Sequence, residues 1–153
     1  MEQFAIGGIA IGPEQPPFII AEMSGNHNGQ LARALALVDA AADSGAHALK
    51  LQTYTADMMT LDIREREFLI QNKSSPWYGR SLYDLYQEGA TPLEWHEAIF
   101  QRAKERGILC FSSPFHADAV ALLEKLGAPA YKIASFECVD IPLIEACART
   151  GKP

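Results

Sequence analysis

A helix, a glycine, a short apolar strand and a polar exit recur along this chain, and no other feature narrows its fold as much. The helical pattern from Gln30 to Asp43, with Leu31, Leu35, Val38 and Ala42 on one face, closes at Gly45 and leads into the strand Ala46–Gln52. A helix beginning at Thr91 stops at Gly107 and leads into Ile108–Phe111. The helix His116–Leu126 closes at Gly127 and leads into Ala130–Ala134. Glycine supplies the left-handed residue that ends a helix. Strict alternation of this kind implies parallel strands joined by right-handed helical crossovers. Phe18–Glu22 is a continuous apolar run, as expected for a strand covered on both faces. Asp140 caps a further helix, Ile141–Arg149, which Gly151 ends; a strand should follow, but the sequence stops at Pro153. The predicted fold is α/β, a TIM (β/α)8-type barrel represented by about four βα units. An open four-stranded sheet is the rival architecture.

Two segments fall outside the repeat. Apolar residues alternate about Gly7-Gly8 within Phe4–Gly12, which predicts a β-hairpin, so residues 1–12 are assigned to a hairpin cap and 17–153 to the βα units. Residues 54–90 are too long for a plain connection and are assigned to an insertion or lid carrying a helix from Ser81 to Glu88. Thr91-Pro92-Leu93-Glu94 reads as a capping box opening the next helix.

In parallel α/β folds ligands bind beyond the carboxyl ends of the strands. Here those ends carry Glu22, Gln52, Ser113, Ser135 and Glu137. Two lysines lie within strands, Lys50 in Ala48–Thr53 and Lys132 in Tyr131–Glu137. An unpaired ammonium among apolar side chains is costly, so the two predict a shared anionic ligand. The competing reading gives each lysine its own neighbouring carboxylate. Lys50 and Gln52 share a face by the two-residue period. Lys132 and Glu137 do not, so the backbone must bend near Ala134 if both face one pocket. Asn26 and His27, in the loop Ser24–Gly29, are candidate substrate contacts. His47, His96 and His116 are read as structural, and the four histidines lack metal-ligand spacing. Trp77, Tyr78, Tyr83 and Tyr86 either pack the long segment onto the body or close over a ligand.

The 153 residues are 48% hydrophobic and 21% charged, an ordinary balance for one domain with a core. A net charge of −6 without a basic run argues against nucleic acid. A few lysines at strand exits can still make a local cationic site. No apolar run reaches the length of a membrane span and no basic-then-apolar leader opens the chain, so no membrane partner and a cytoplasmic location are expected. Cys110, Cys138 and Cys147 form no CxxC pair and read as reduced thiols, with Cys110 and Cys147 buried.

The stretches Ile20–Gly29, Leu49–Tyr54, Phe111–Phe115 and Tyr131–Glu137 together resemble the sialic acid synthase family. Met23-Ser24 and Leu82–Gln87 look most like its pseudaminic acid synthase branch. The resemblance runs over essentially the whole chain. It implies a TIM-barrel transferase of nonulosonic acid biosynthesis for cell-surface carbohydrate. Such an enzyme condenses phosphoenolpyruvate with an open-chain 2,4-diacetamido-2,4,6-trideoxy sugar and releases phosphate. By position, Lys50, Ser113, Lys132 and Ser135 would hold phosphoenolpyruvate, and Glu22 and Gln52 would contact the sugar. Glu137 would move protons near the reacting carbons, which makes Glu137 and Glu22 the expected catalytic carboxylates. The resemblance also implies a divalent metal, Mn2+ or Mg2+, held by histidines on later strands. It implies a homodimer whose C-terminal antifreeze-like domain lends an arginine to the partner subunit. Neither region lies within these residues, so no metal ligand is expected here and the chain alone is expected to be nearly inactive. An N-acetylneuraminate or legionaminate synthase is the nearest alternative. A Schiff-base aldolase using Lys132 and a non-catalytic half-barrel remnant are the others.

Overall fold

The computed structural model describes residues 4–153. The hairpin forms as predicted. β1 (Phe4–Ile6) pairs antiparallel with β2 (Ile9–Ile11), and Gly7 and Gly8 turn the chain with φ of +55° and +86°. Gly7 is constrained a second time, since a Cβ there would sit 2.6 Å from the side-chain carbons of Leu109. Residues 1–3 of the expected cap lie outside the described residues.

Three parallel strands follow in the order β3 (Ile20–Glu22), β4 (Ala48–Thr53) and β5 (Leu109–Pro114). α1 (Leu31–Asp43) links β3 to β4, and Gly45 ends it at φ +79°. Between β4 and β5 lie α2 (Ala56–Met59), α3 (Leu82–Gly89) and α4 (His96–Glu105). α5 (Ala117–Lys125) and α6 (Ile141–Ala148) complete the chain. The imidazole Nδ1 of His116 accepts the Asp118 N–H at the start of α5, and the Asp140 carboxylate accepts the Leu143 N–H at the start of α6. The fold is the α/β, parallel-stranded arrangement of a partial TIM-type barrel, as the repeat predicted. Among the described residues no helix is long and apolar enough to cross a membrane.

The two-residue period of the strands divides the core into two layers. Leu49, Leu51 and Cys110 face the helices and pack with Ala34, Val38, Ile99 and Ala103. Ala48, Phe111 and Ala130 face the other way and pack with Ile6 of the hairpin and with Phe18. The hairpin therefore covers the amino-terminal end of the inner face, and only the carboxyl end is left for polar groups.

Four expectations are corrected. The fourth strand shrinks to a single parallel contact between Tyr131 and Ser112. The Lys132 N–H donates to Ser112 O and the Tyr131 N–H to Pro153 O, after which the chain turns into a 3-10 segment at Phe136–Val139. β3 is not covered on both faces: Ile20 and Glu22 are exposed and Ala21 is half-buried. The capping box fails: α4 begins through a 3-10 turn at Leu93–Trp95, and the Thr91 hydroxyl meets a side chain 64 residues away. The buried edge of α1 is Ala34, Val38 and Ala41, while Leu31, Leu35 and Ala42 are only half-buried.

Candidate active site

Toward the carboxyl ends the inner face changes from apolar to polar. Glu22 lies in register with Lys50, and Gln52 with Ser113. The contact between Ser112 and Tyr131 sets Lys132 beside Ser113 one step further on. Residues in register on parallel neighbours point the same way. Glu22, Lys50, Gln52, Ser113 and Lys132 therefore share the inner face, beyond the apolar layer of Ala48, Phe111 and Ala130.

The two lysines are not equivalent. Lys50 is enclosed, with its side chain 10% exposed, and its Nζ lies 2.7 Å from Glu22 Oε2. For Lys50 the paired-carboxylate reading holds in this structure. Lys132 was expected inside a buried strand but is exposed, because the strand stops at Tyr131. Among the described residues no carboxylate lies within ion-pair distance of it. The Gln52 carbonyl oxygen accepts a 3.0 Å hydrogen bond from Ser24 Oγ. Ser24 itself has φ of +50°, a left-handed conformation uncommon for a non-glycine residue. Ser113 is buried, whereas Ser135 is exposed at the entry to the 3-10 turn. Glu137 lies on that turn, beyond the end of the pleat at Tyr131, so strand parity does not relate it to Lys132. Glu137 is half-buried, and its Oε2 is shielded from solvent with no hydrogen-bond partner among the described residues. An unsatisfied buried carboxylate oxygen is uncommon in folded proteins.

Of the two loop candidates, Asn26 is exposed and His27 turns into the core. The Asn26 amide donates to Met23 O at 2.9 Å and braces its own loop. His27 is fully buried, with Nε2 3.1 Å from Thr91 Oγ1 and Nδ1 accepting the Gly29 N–H. Both ring nitrogens are used, and burial holds its pKa below the ordinary value. A loop rich in Gly and Asn looked solvated, yet Met23 and His27 turn inward from it. His96 is buried with both ring nitrogens bonded, as its structural reading implies, whereas Ser24, Thr53 and Ser112 were not singled out. Alternation would have found two of them, since Thr53 and Ser112 must point opposite to Gln52 and Ser113. Among the described residues no three His, Cys, Asp or Glu side chains are grouped to hold a metal, so the implied divalent ion has no ligand set here.

The chain is similar to known proteins in sequence and fold. The NeuB family profile matches residues 37–153. A pseudaminic acid synthase from Helicobacter pylori is 51% identical over 91% of this chain, and one from Campylobacter jejuni is 48% identical over 89%. The chain spans about 40% of the length of these curated relatives. The crystal structure of an N-acetylneuraminic acid synthetase from Leptospira borgpetersenii, in complex with citrate, superposes with a TM-score of 0.78 at 31% identity. That superposition covers 99% of this chain and 47% of the other.

Proposed function

The chain belongs to the NeuB family, and from that premise we propose that it supplies the phosphoenolpyruvate end of a nonulosonic acid synthase site of the pseudaminic type. In the reaction a carbon–carbon bond forms between phosphoenolpyruvate and the aldehyde of a diacetamido trideoxy sugar, water attacks, and phosphate leaves. The observation that carries the reading is the shared inner face of Lys50, Ser113 and Lys132 at the carboxyl end of the sheet. Two ammonium groups and two hydroxyls suit a ligand with a phosphate and a carboxylate. Lys50, Ser113, Lys132 and Ser135 take those anionic groups. Gln52 and Glu22 take sugar hydroxyls, and Glu22 holds the Lys50 ammonium until the anion arrives. Glu137, with one unbonded shielded oxygen, handles the proton that moves with the water. The exposed Lys132 lacks the apolar enclosure of a desolvated Schiff-base lysine, which favours the synthase reading over the aldolase one.

The test is a ³¹P NMR titration of phosphoenolpyruvate with the 153-residue chain. Saturable binding, weakened about tenfold or more by Lys132→Ala, is expected. Absence of saturable binding, or a Lys132→Ala variant that binds as tightly as the parent, would overturn the assignment. Borohydride trapping of a pyruvate adduct at Lys132 would revive the aldolase.

A further inference from the structure

Behind the inner face lies a second, buried polar layer. Thr53 Oγ1 is 2.6 Å from Ser112 Oγ and 2.9 Å from His96 Nε2, and His96 Nδ1 is 3.1 Å from Pro92 O. Thr53, Ser112 and His96 are all fully buried. Donor and acceptor rules then fix every proton. A carbonyl oxygen only accepts, so His96 carries its proton on Nδ1 and donates it to Pro92. Its Nε2 is therefore an acceptor, and the Thr53 hydroxyl donates to it. Thr53 has one hydroxyl proton, so Ser112 must donate to Thr53.

The same logic fixes His27 in the opposite form. The Gly29 N–H donates to Nδ1, so the proton sits on Nε2 and points at Thr91 Oγ1. Trp95 packs edge-on against His27 with ring centroids 5.5 Å apart. The turn from Thr91 to His96 thus holds three strand exits at once: the loop after β3 through Thr91, β4 through His96 and Thr53, and β5 through Ser112.

We infer that Thr53, Ser112 and His96, together with Thr91 and His27, form a positioning relay that sets the spacing of Gln52 and Ser113 on the opposite side of the same strands. The relay's effect on ligand rests on the phosphoenolpyruvate reading above; its proton directions do not. Removing the Thr53 hydroxyl leaves His96 Nε2 without a partner, and Ser112 Oγ with only a 3.4 Å contact to Ser113 O, in a buried place. The strand exits then shift to relieve them, and Ser113 moves with its neighbour.

Thr53→Val keeps the side-chain shape and deletes the hydroxyl, while Thr53→Ser keeps the hydroxyl. Long-range ¹H–¹⁵N spectra of the 153-residue chain read the imidazole tautomers, and a ³¹P titration reads phosphoenolpyruvate. The wild type should show His96 as the Nδ1–H form and His27 as the Nε2–H form. Thr53→Val should displace the His96 Nε2 and Ser113 amide resonances and weaken phosphoenolpyruvate about tenfold, with Thr53→Ser within about twofold of wild type. Reversed tautomers, unmoved Ser113 with unchanged affinity, or a serine variant as weak as the valine would each refute the relay. Because the spectra need no ligand, a wild type that ignores phosphoenolpyruvate sinks the functional reading while the relay is judged by the resonances. Should Thr53→Val fail to fold, Ser112→Ala removes the donor to Thr53 but keeps the Thr53–His96 bond, so a displaced Ser113 amide with weaker phosphoenolpyruvate supports the relay and an unmoved Ser113 with unchanged affinity refutes it.

Discussion

Replacing Glu22 with glutamine should make the chain bind phosphoenolpyruvate more tightly and fold less stably. Glu22 Oε2 and Lys50 Nζ are 2.7 Å apart. Unit charges at that distance interact by about 1.5 kcal/mol in a water-like medium and by about 6 kcal/mol at an effective dielectric of about 20. The Glu22 side chain is 57% exposed, so the smaller figure applies. An incoming anion must displace that interaction, and its removal is equivalent to about a tenfold gain in affinity. Folding responds in the opposite sense. Lys50 is enclosed and loses its counter-ion, which costs about 1–3 kcal/mol. The assay pairs a ³¹P titration with urea unfolding, each at low and at high salt, where screening should shrink the affinity gain. A Glu22→Gln variant that binds the anion more weakly, or equally well, refutes the idea that Glu22 competes for Lys50.

Two further outcomes follow from burial. Ile99 is fully buried among Val38, Leu49, Leu51 and Ala103, so Ile99→Ala should cost about 2–5 kcal/mol in urea unfolding; a loss below about 1 kcal/mol would mean that the layer between helices and sheet collapses freely. Burial lowers the pKa of His27, and also that of His96, where it outweighs the opposing Pro92 carbonyl and Glu94 charge. With folded values below the unfolded 6.5, the stabilisation is complete above about pH 6.5 and is lost as pH falls through the folded values. The urea midpoint should therefore drop between about pH 7.5 and pH 5.5, and a flat or rising midpoint would contradict the buried neutral imidazoles.

The sequence disclosed whatever depends on local chemistry. Gly45, Gly107, Gly127 and Gly151 all adopt left-handed φ, from +71° to +79°, so the helix ends and the repeat they punctuate were legible. The shared parity of Lys50 and Gln52 was legible for the same reason. Partnerships across long separations were not. Thr91 looked like a helix cap, but His27 claims its hydroxyl from 64 residues away. His27 looked like a ligand contact because its neighbours are Gly and Asn, and nothing local shows that the loop folds back over Trp95. The region around Lys132 had strand-like composition, yet a strand also needs ladder partners, and here they amount to one rung toward Ser112 and one toward Pro153.

The long excursion between β4 and α4 comes back, at the end of α3, to the side chain of the tyrosine it starts from. A Cβ on Gly89 would lie 3.4 Å from the Tyr54 hydroxyl, at the two feet of the segment. Its stiffening is internal, with Leu69 paired to Ser81 and Ile70 exchanging backbone hydrogen bonds with Gly79 and Arg80. Such a module can be lengthened, shortened or rewritten by descent while the register beneath it stays intact. The strand that carries Lys50 and Gln52 would keep its pairing with β5 through such changes.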